Sequence, residues 1–418
     1  MTKLTLVAGK GVRFLRAHGL RATCKAALRR LGASQPATGK AAGGGALPYR
    51  FAYEPITYRH RSAAAAEPAR PASVNWVIPN FYGSSGGHRT IFRLTRALED
   101  AGHEVRFHLF GETHYVSDSE ATEVMRRHYF PLKAAVHLGV TQMPPSDICV
   151  ASSWETAYAV RDFDACRRKV YFVQDYEPSF YPASAEMVLA ENTYGFGFDC
   201  ICAGRWLAEK MRGYGNRAES FDLAYDPAVY SPGAGGYGKN RVVFYARHQT
   251  RRRGTELGLL SLALLKRSRP ETEVVIFGSD DLPYRLPFDY TPAGLLSEGE
   301  LAELYRGAAV GLSISLTNYS LVPQEMLACG LPVVEMDMPS VRAAYPHGGA
   351  ALRLAAPNPS AIAGALSEAL SLPDAEARRA REEAARLVAH LSWARAETAL
   401  LDFLETDGGR DAERPKRA

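Results

Sequence analysis

The sequence predicts an α/β protein with two doubly wound domains that face each other across a cleft. Short apolar segments alternate with amphipathic segments of helical period in both halves of the chain, which is the pattern of parallel sheets covered by helices. A Pro- and Gly-rich passage, residues 226–238, separates the two series and marks an interdomain linker. A length of 418 residues is sufficient for two domains, each with its own core.

The composition excludes several classes of protein. An apolar fraction of 46% and a charged fraction of 23% are ordinary for a soluble globular chain. The sequence contains no run of about 18 apolar residues, so no membrane-spanning helix is expected. Its six cysteines have neither the spacing of a metal site nor that of a disulfide framework, which fits a reducing cytoplasm. We therefore expect a cytoplasmic location and no bound metal.

The net charge of +5 conceals an asymmetry. Residues 1–72 contain thirteen Lys or Arg and two acidic residues, a balance of +11, whereas residues 73–418 carry −6. Residues 12–31 have the pattern of a basic amphipathic helix, which predicts peripheral contact with an anionic membrane surface. A solvated extension explains the same charges equally well. In both interpretations residues 1–72 form an extension and linker.

The first domain is expected to span residues 73–225. It opens with an apolar strand, Val74–Pro79, and continues through a glycine loop into an amphipathic helix, Thr90–Ala101. The loop contains Gly86 and Gly87. Glycines between a strand and a helix let a phosphate or a sugar approach the backbone closely, although most such loops are simple turns.

Polar side chains follow two later strands of this domain, Asp147–Ala151 and Lys169–Val173. Because the carboxyl ends of parallel strands meet at one edge of a sheet, we expect these side chains to face the cleft and to bind an acceptor sugar. The acceptor-side candidates are His88, Glu155, Gln174, Asp175 and Glu177. For the two carboxylates that follow the second strand, helix capping or loop ion pairing is the alternative.

The second domain is expected to span residues 239–391. Its first strand ends at Arg247, and three arginines, residues 251–253, precede a helix over Thr255–Lys266. Guanidinium groups stabilise a leaving diphosphate through bidentate hydrogen bonds, without a metal ion. The candidate cations are Arg247 and the three arginines of the turn, residues 251–253. Consecutive arginines are often a solvated turn, so at least one is expected to be ordinary surface.

The central stretch, residues 313–334, is expected to form a strand, a turn, a short helix and a second strand. Gly330 suits the helix stop. A helix that begins at the carboxyl end of a sheet presents backbone N–H groups to an anionic ligand. Glu325 lies about one turn inside this helix, where its carboxylate can accept hydrogen bonds from the hydroxyls of a ligand sugar.

This stretch resembles the donor-binding signature of GT-B glycosyltransferases of the family-four kind, in which a Glu after a Gly-Leu-Val-like turn binds the nucleotide ribose. Residues 320–322 stand at the turn and Glu325 at the ribose position. The family usually carries another Glu eight residues earlier, where this chain has Thr317. The resemblance covers residues 74–405 and implies the GT-B fold, with a C-terminal helix over 392–405 that crosses back to the first domain. Residues 406–418 are expected to be a disordered tail.

Residues 174–182 and 189–194 are similar to the rhamnosyltransferases that build bacterial S-layer and rhamnan glycans. The resemblance implies transfer of L-rhamnose from dTDP-L-rhamnose to a growing surface glycan, with retention at the anomeric carbon. The catalytic residues implied are Arg247, Arg253 and Asp175. The donor-binding residues implied are Gly86, Gly87, Arg252, Gly278, Leu295, Tyr319, Ser320, Leu321, Val322 and Glu325.

Three alternatives remain at this level. The chain could use another sugar nucleotide, or it could be a nucleotide-sugar 2-epimerase, since those enzymes share the two-domain architecture. A non-catalytic sugar-nucleotide-binding protein is the third, because Thr317 replaces a carboxylate. The expected partners are a sugar nucleotide and a glycan acceptor. No cofactor and no nucleic-acid partner are expected.

Overall fold

The computed structural model describes residues 47–60, 71–83, 85–233, 235–236 and 238–406. It contains two parallel β-sheets flanked by helices, which confirms the predicted α/β architecture of two doubly wound domains. The basic segment over residues 12–31 and the tail from residue 407 lie outside the described residues. None of the helices described is long and apolar enough to cross a membrane.

The first domain is built on a seven-stranded sheet with the order β3-β2-β1-β4-β5-β6-β7. Its strands are β1 Ser73–Pro79, β2 Glu104–Phe110, β3 Val136–Leu138, β4 Ser146–Ala151, β5 Cys166–Val173, β6 Asp199–Ala203 and β7 Ala218–Phe221. Its helices are α1 Gly86–Asp100, α2 Asp118–His128, α3 Trp154–Asp162, α4 Ala185–Asn192 and α5 Arg205–Gly213. The central strands are buried on both faces, as their nearly continuous apolar runs require.

The second domain is built on a six-stranded sheet with the order β10-β9-β8-β11-β12-β13. Its strands are β8 Arg241–Tyr245, β9 Glu273–Phe277, β10 Thr291–Gly294, β11 Val310–Leu312, β12 Val333–Met336 and β13 Leu352–Ala355. Its helices are α6 Thr255–Ser268, α7 Glu298–Arg306, α8 Leu321–Ala328, α9 Pro339–Ala344, α10 Pro359–Leu370 and α11 Asp374–Val388. The α7 helix begins with the capping box of Ser297 and Glu300, as the sequence pattern predicts.

In each sheet the strand order reverses once, between β1 and β4 in the first domain and between β8 and β11 in the second. An open parallel sheet binds ligands outside the carboxyl ends of the strands at such a switch point. The loops that follow β1, β4, β8 and β11 are therefore the places where a ligand site is expected.

A last helix, α12 Trp393–Glu405, returns from the second domain to the first. Leu400 and Phe403 of this helix belong to the core of the first domain. Arg168 on β5 fixes its end, because Nη1 donates to the carbonyl oxygens of Phe403 and Leu404, each at 3.0 Å. The guanidinium also lies 4.7 Å from the centre of the Phe403 ring.

The structure differs from the sequence expectations at three places. Residues 47–60, expected in the extension and linker, pack on the first domain, where Phe51 contacts Trp154 and the Tyr58 hydroxyl donates to the carbonyl of Ala159 at 2.6 Å. Helix α1 begins at Gly86, because Ser85 caps it, so the glycine pair forms the first turn of the helix. Strand β11 ends at Leu312, and residues 313–320 form a loop.

Candidate active site

The loop after β11 and the arginine turn after β8 lie together at the switch point of the second sheet. The backbone N–H of Leu316 donates to the carbonyl of Arg252 at 3.0 Å. Gly254 adopts the left-handed conformation with φ of 51°, and a Cβ at this position would lie 2.6 Å from Cγ2 of Ile314. Only glycine therefore suits this position, both for its backbone and for the close approach of the loop.

The arginines at this switch point have different surroundings. The side chain of Arg247 is exposed and forms neither a hydrogen bond nor an ion pair with the described residues. Arg253 is partly buried, and its Nη1 donates to Oγ of Ser315 at 3.4 Å. Arg252 points toward the first domain, where its guanidinium carbon lies 4.3 Å from the centre of the Phe180 ring. Arg247 and Arg253 thus have no carboxylate partner within hydrogen-bond distance among the described residues, whereas Arg252 is paired with the first domain.

Asp175 joins the two domains. It follows β5 of the first domain, and Oδ2 lies 3.0 Å from Nε of Arg252 in an ion pair. Oδ1 accepts hydrogen bonds from the backbone N–H groups of Asn318 and Tyr176, each at 2.9 Å. Both oxygens of this carboxylate are therefore engaged by the protein, which is the ion-pairing alternative considered from the sequence.

Asn318 adds two further contacts to the same junction. Its Nδ2 donates to the carbonyl oxygens of Gln174, at 3.1 Å, and Ala203, at 2.8 Å. These acceptors lie at the carboxyl ends of β5 and β6. The loop after β11 is therefore held by the edge of the first sheet, and the carboxyl ends of both sheets meet at one site.

Glu325 is the fifth residue of α8 and is partly buried. Its carboxylate has no hydrogen bond or ion pair to the residues that the structure describes. Burial raises the pKa of Glu325 to about 7, and the negative charge of Glu298 contributes, while the positive charge of Arg89 opposes the shift. Arg89 on α1 forms an ion pair with Glu298 at 2.8 Å. A carboxylate without a partner at this place can accept hydrogen bonds from ligand hydroxyls.

The helix that contains Glu325 is capped at its start by the side chain of Ser320. Ser320 is the N-cap of α8, and its Oγ accepts from the backbone N–H of Val322 at 3.4 Å. The N–H of Val322, predicted to bind the donor, is thus engaged within the helix start. Leu321 has an intermediate exposure at the same turn. Thr317, at the position of the usual first Glu, is buried, and its Oγ1 has no hydrogen-bond partner among the described residues.

Glu155 lies in the first turn of α3, and Glu177, which follows β5, contacts the same end of that helix. Oε2 of Glu177 accepts from the backbone N–H of Trp154 at 2.6 Å, so this carboxylate caps the helix. Burial raises the pKa of Glu177 to about 8, and burial also raises the pKa of Glu155. The capping alternative therefore describes the contact of Glu177. Gln174 lies against the first turn of α1, where a Cβ at Gly87 would lie 3.4 Å from its Nε2.

The glycine turn of the first domain is neutral. His88 is buried, with Nε2 3.1 Å from the carbonyl oxygen of Pro79 and Nδ1 2.9 Å from Oγ of Ser85. Burial lowers the pKa of His88 to about 4, so the ring is uncharged at neutral pH. Its contacts hold the loop rather than present the ring to an acceptor. A Cβ at Gly86 would meet no atom within 4 Å, so this position faces open space.

The remaining donor-site candidates differ in accessibility. Tyr319 is buried, and its hydroxyl accepts from the backbone N–H of Leu223 at 3.2 Å, so its contacts are those of a packing residue between the domains. Gly278 follows β9 with φ of 95°, and a Cβ there would lie 2.7 Å from the Tyr245 ring. Leu295 is exposed beyond β10. No group of His, Cys, Asp and Glu within the described residues has the arrangement of a metal site.

Two family models match this chain, one in each of its two domains. The model described as the N-terminal domain of WsaF matches residues 107–202, and that described as the C-terminal domain of WsaF matches residues 240–367. The two matches together span just over half of the chain. The chain belongs to the WsaF family of GT-B glycosyltransferases.

One relative in sequence and two solved structures are also similar to this chain. The O-antigen biosynthesis protein RfbC of Myxococcus xanthus is 34% identical over 352 residues, which are 79% of this chain. The chain spans only 27% of the length of that relative. The structure resembles Anabaena HepE, with a TM-score of 0.61, 13% identity and coverage of 80% of this chain and 99% of HepE. It also resembles Staphylococcus aureus TarM, with a TM-score of 0.64, 7% identity and coverage of 80% and 100%.

One further residue at this site was not predicted from the sequence. Glu335 is a buried carboxylate on β12, and its Oε1 accepts from the backbone N–H of Ser315 at 2.8 Å. Burial raises the pKa of Glu335 to about 7. The signal was present in the sequence, because Val333–Met336 is an apolar strand interrupted by a single Glu. A charge inside a buried strand is costly unless it is paired and hydrogen-bonded.

Proposed function

We propose that this chain transfers a hexosyl group, L-rhamnose from dTDP-L-rhamnose, to a growing bacterial surface glycan with retention at the anomeric carbon. The GT-B fold and the membership of the WsaF family supply the reaction class. The sugar rests on the resemblance of residues 174–182 to rhamnosyltransferases. The relative RfbC, an O-antigen biosynthesis protein, supports a surface glycan as the product. We place the reaction in the cytoplasm, because the six cysteines fit a reducing compartment.

The observation that carries this proposal is the pair Arg247 and Arg253 at the switch point of the second sheet. One guanidinium is exposed, and the other contacts only a neutral hydroxyl among its described hydrogen-bond partners. A diphosphate at this position would receive charge-assisted hydrogen bonds from both side chains as negative charge develops on the leaving group. These two charges take the place of a metal ion in our proposal.

Glu325 completes the donor side. Its carboxylate would accept a hydrogen bond from the 3′-hydroxyl of the deoxyribose of dTDP-L-rhamnose, while the diphosphate lies between that sugar and the two arginines. Solved structures of HepE with UDP, with UDP and glucose, and with UDP-glucose support a sugar nucleotide as the ligand of this fold. The acceptor would enter from the first domain, beside Gly86 and Gln174.

The test is a panel of sugar nucleotides presented to the purified chain. We expect dTDP-L-rhamnose to raise the melting temperature more than UDP-glucose or GDP-mannose does, because a ligand that binds the folded state stabilises it by mass action. Transfer of labelled rhamnose to a rhamnan acceptor is the second measurement. Binding without transfer would favour a non-catalytic protein, and interconversion of free sugar nucleotides would favour an epimerase. Equal shifts with all donors would remove rhamnose from the proposal.

The basic N-terminal residues support a second proposal, which is tested separately from the first. We propose that residues 1–46 contact the anionic surface of the membrane that carries the acceptor. Residues 1–72 have a net charge of +11, whereas residues 73–418 carry −6. Deletion of residues 1–46 preserves Tyr49, Phe51 and Tyr58, which pack on the first domain. We expect this deletion to abolish salt-sensitive binding to anionic liposomes while rhamnosyl transfer to a soluble acceptor continues. Unchanged liposome binding would reject the membrane role.

A further inference from the structure

Glu335 is placed where a strand normally carries only apolar residues. All four residues of β12 are buried, and Glu335 itself is 1% exposed. Its carboxylate accepts three hydrogen bonds, from the backbone N–H of Ser315 at 2.8 Å, from the backbone N–H of Met336 at 3.0 Å and from Oγ of Ser315 at 3.3 Å. Two of the three come from the loop after β11, so this buried charge holds the loop that forms the donor site.

The same serine links Glu335 to an arginine. Nη1 of Arg253 donates to Oγ of Ser315 at 3.4 Å, and that hydroxyl donates in turn to Oε2 of Glu335. The hydrogen bonds therefore run in one direction, from the guanidinium through the hydroxyl to the carboxylate. Opposite charges at the two ends polarise the hydroxyl between them, which strengthens both bonds.

The loop itself supplies no carboxylate. Position 317, where the signature of the family usually has a Glu, carries a buried threonine whose Oγ1 lacks a hydrogen-bond partner in the described part of the chain. The negative charge behind this loop comes instead from the neighbouring strand, β12.

We propose that Glu335 is a positioning residue that fixes Ser315, and through it Arg253, in the orientation that binds the leaving diphosphate. The inference rests on the proposed function, because it assigns Glu335 a role at the donor site. It predicts that Glu335 affects nucleotide binding only while Arg253 is present.

A double-mutant cycle tests this dependence. The four proteins are the full chain, Glu335→Gln, Arg253→Ala and the double variant, and dTDP is titrated into each by calorimetry. Glutamine preserves the size of the side chain and removes its charge. We expect Glu335→Gln to raise the Kd for dTDP about tenfold in the full chain and less than about twofold in the Arg253→Ala background, because coupled residues are not additive. Additive losses would overturn the inference.

Glu273→Gln is the matched control. Glu273 lies at the amino end of β9 in the same sheet, where it pairs with Arg241 on the surface, and its replacement should leave the Kd for dTDP unchanged. The pH dependence separates positioning from packing. The affinity of the full chain should fall from pH 8 to pH 6 as Glu335, Glu325 and the terminal phosphate of dTDP are protonated, and Glu335→Gln should show a smaller fall because one of these groups is absent. Arg253 and Tyr345 are ionisable groups that interact with this carboxylate.

If Glu335→Gln does not fold, Ser315→Ala breaks the same chain of hydrogen bonds while the backbone N–H of residue 315 still donates to the carboxylate. The same loss of affinity, confined to proteins that contain Arg253, is expected. A folded Ser315→Ala or Glu335→Gln variant with the dTDP affinity of the full chain would overturn the inference and leave the proposed function intact. Failure of the full chain to bind either dTDP or UDP would overturn both.

Discussion

The two sheets reverse strand order in the same way, yet the residues at their switch points differ in charge. In the first domain the turn after β1 is closed by neutral contacts, with His88 between Pro79 and Ser85. In the second domain the turn after β8 carries Arg247 and Arg253, neither of which is paired with a carboxylate among the described residues. The shared topology therefore predicts where ligands can bind, and the unpaired arginines lead us to expect an anion at the second sheet rather than the first.

One carboxylate of the second domain, Glu325, differs in its contacts from two carboxylates of the first. Glu177 of the first domain caps α3 and Asp175 holds a loop and an arginine, so both are engaged by the protein. Glu325 of the second domain has no such contact within the described residues. Groups that are already bonded stabilise the scaffold, whereas a partly buried group without a partner is available to a ligand.

The largest effect is expected from the removal of Arg247, which would test the difference between the two switch points. We expect Arg247→Ala to lower turnover about 100-fold or more, because it removes a charge-assisted donor from the leaving diphosphate. Arg267→Ala, at the exposed far end of α6, is the control and should have the activity of the unmodified chain. Steady-state transfer assays on both variants decide the matter. Near-normal turnover of a folded Arg247→Ala protein would reject its assignment as a diphosphate ligand.

Glu325→Ala should have the next largest effect. A charged hydrogen bond to a ligand contributes about 1.5–3 kcal/mol, so the affinity for dTDP should fall about tenfold to more than a hundredfold. A role limited to the start of α8 would instead lower stability by about 0.3–1 kcal/mol. Calorimetric titration and thermal melting of the same protein separate the two. Reduced stability with unchanged dTDP affinity would contradict the ribose assignment.

Asp175→Asn tests the junction between the two switch points. We expect the free energy of unfolding to fall by about 1–3 kcal/mol, because the variant weakens the contacts of a buried group with Arg252 and Asn318. Asp164→Asn is the matched control at the opposite end of β5, where Asp164 forms an exposed pair with Lys169. Urea unfolding of both variants measures the difference. Equal stability of the two would show that Asp175 does not couple the domains.

The pH dependence of stability tests whether Glu177 of the first domain is protonated in the folded protein. Burial raises the pKa of Glu177 from 4.5 to about 8, so the folded state binds this proton more tightly than the unfolded state does. Its contribution to stability is complete below pH 4.5 and is lost as the pH rises toward 8, with a slope of at most about 1.4 kcal/mol per pH unit.

Glu177→Gln should therefore lose less stability than the unmodified chain between pH 5 and pH 8, as measured by urea unfolding at each pH. The pKa values of Glu325 and Glu335, both raised to about 7, give a loss of the same sign, so the interval from pH 7 to pH 8 is the most specific for Glu177. Identical slopes for the variant and the unmodified chain would show that Glu177 is ionised in the folded protein.

The smallest effect is expected from His88→Ala. The variant should lose about 1 kcal/mol of stability through its two contacts, and its affinity for dTDP should remain within a factor of two of that of the unmodified chain. Calorimetric titration with dTDP provides the measurement. A tenfold loss of affinity would mean that the switch point of the first domain also binds the nucleotide, and the contrast between the domains would disappear.

The sequence was sufficient for the features that depend on local patterns. Alternating apolar and amphipathic segments predicted two doubly wound domains, and the capping box at Ser297 predicted the start of α7. The position of Arg247 at a strand end followed from the same periodicity. These features were predictable because short-range sequence determines secondary structure and the order of strands limits the topology.

The missed contacts join residues that are far apart in the chain. Asp175 binds the backbone of Asn318, and Glu335 binds that of Ser315, but no local pattern specifies either pair. The aromatic residues of 47–60 were assigned to a linker because they lie in a stretch rich in Ala, Gly and Pro, although Phe51 and Tyr58 pack on the first domain. Tertiary packing decides such positions, and one sequence contains no direct record of it.

The contacts of Asn318 limit how the two halves of such an enzyme can be recombined. The loop that contains Asn318 belongs to the second domain, but its side chain binds carbonyl groups of Gln174 and Ala203, and its N–H binds Asp175. A chimera that exchanges the donor half alone would separate this loop from the surface on which it is shaped. We expect exchange between relatives to succeed only when the strand ends that contact the loop are transferred with it. The segment to be exchanged therefore includes residues of both domains.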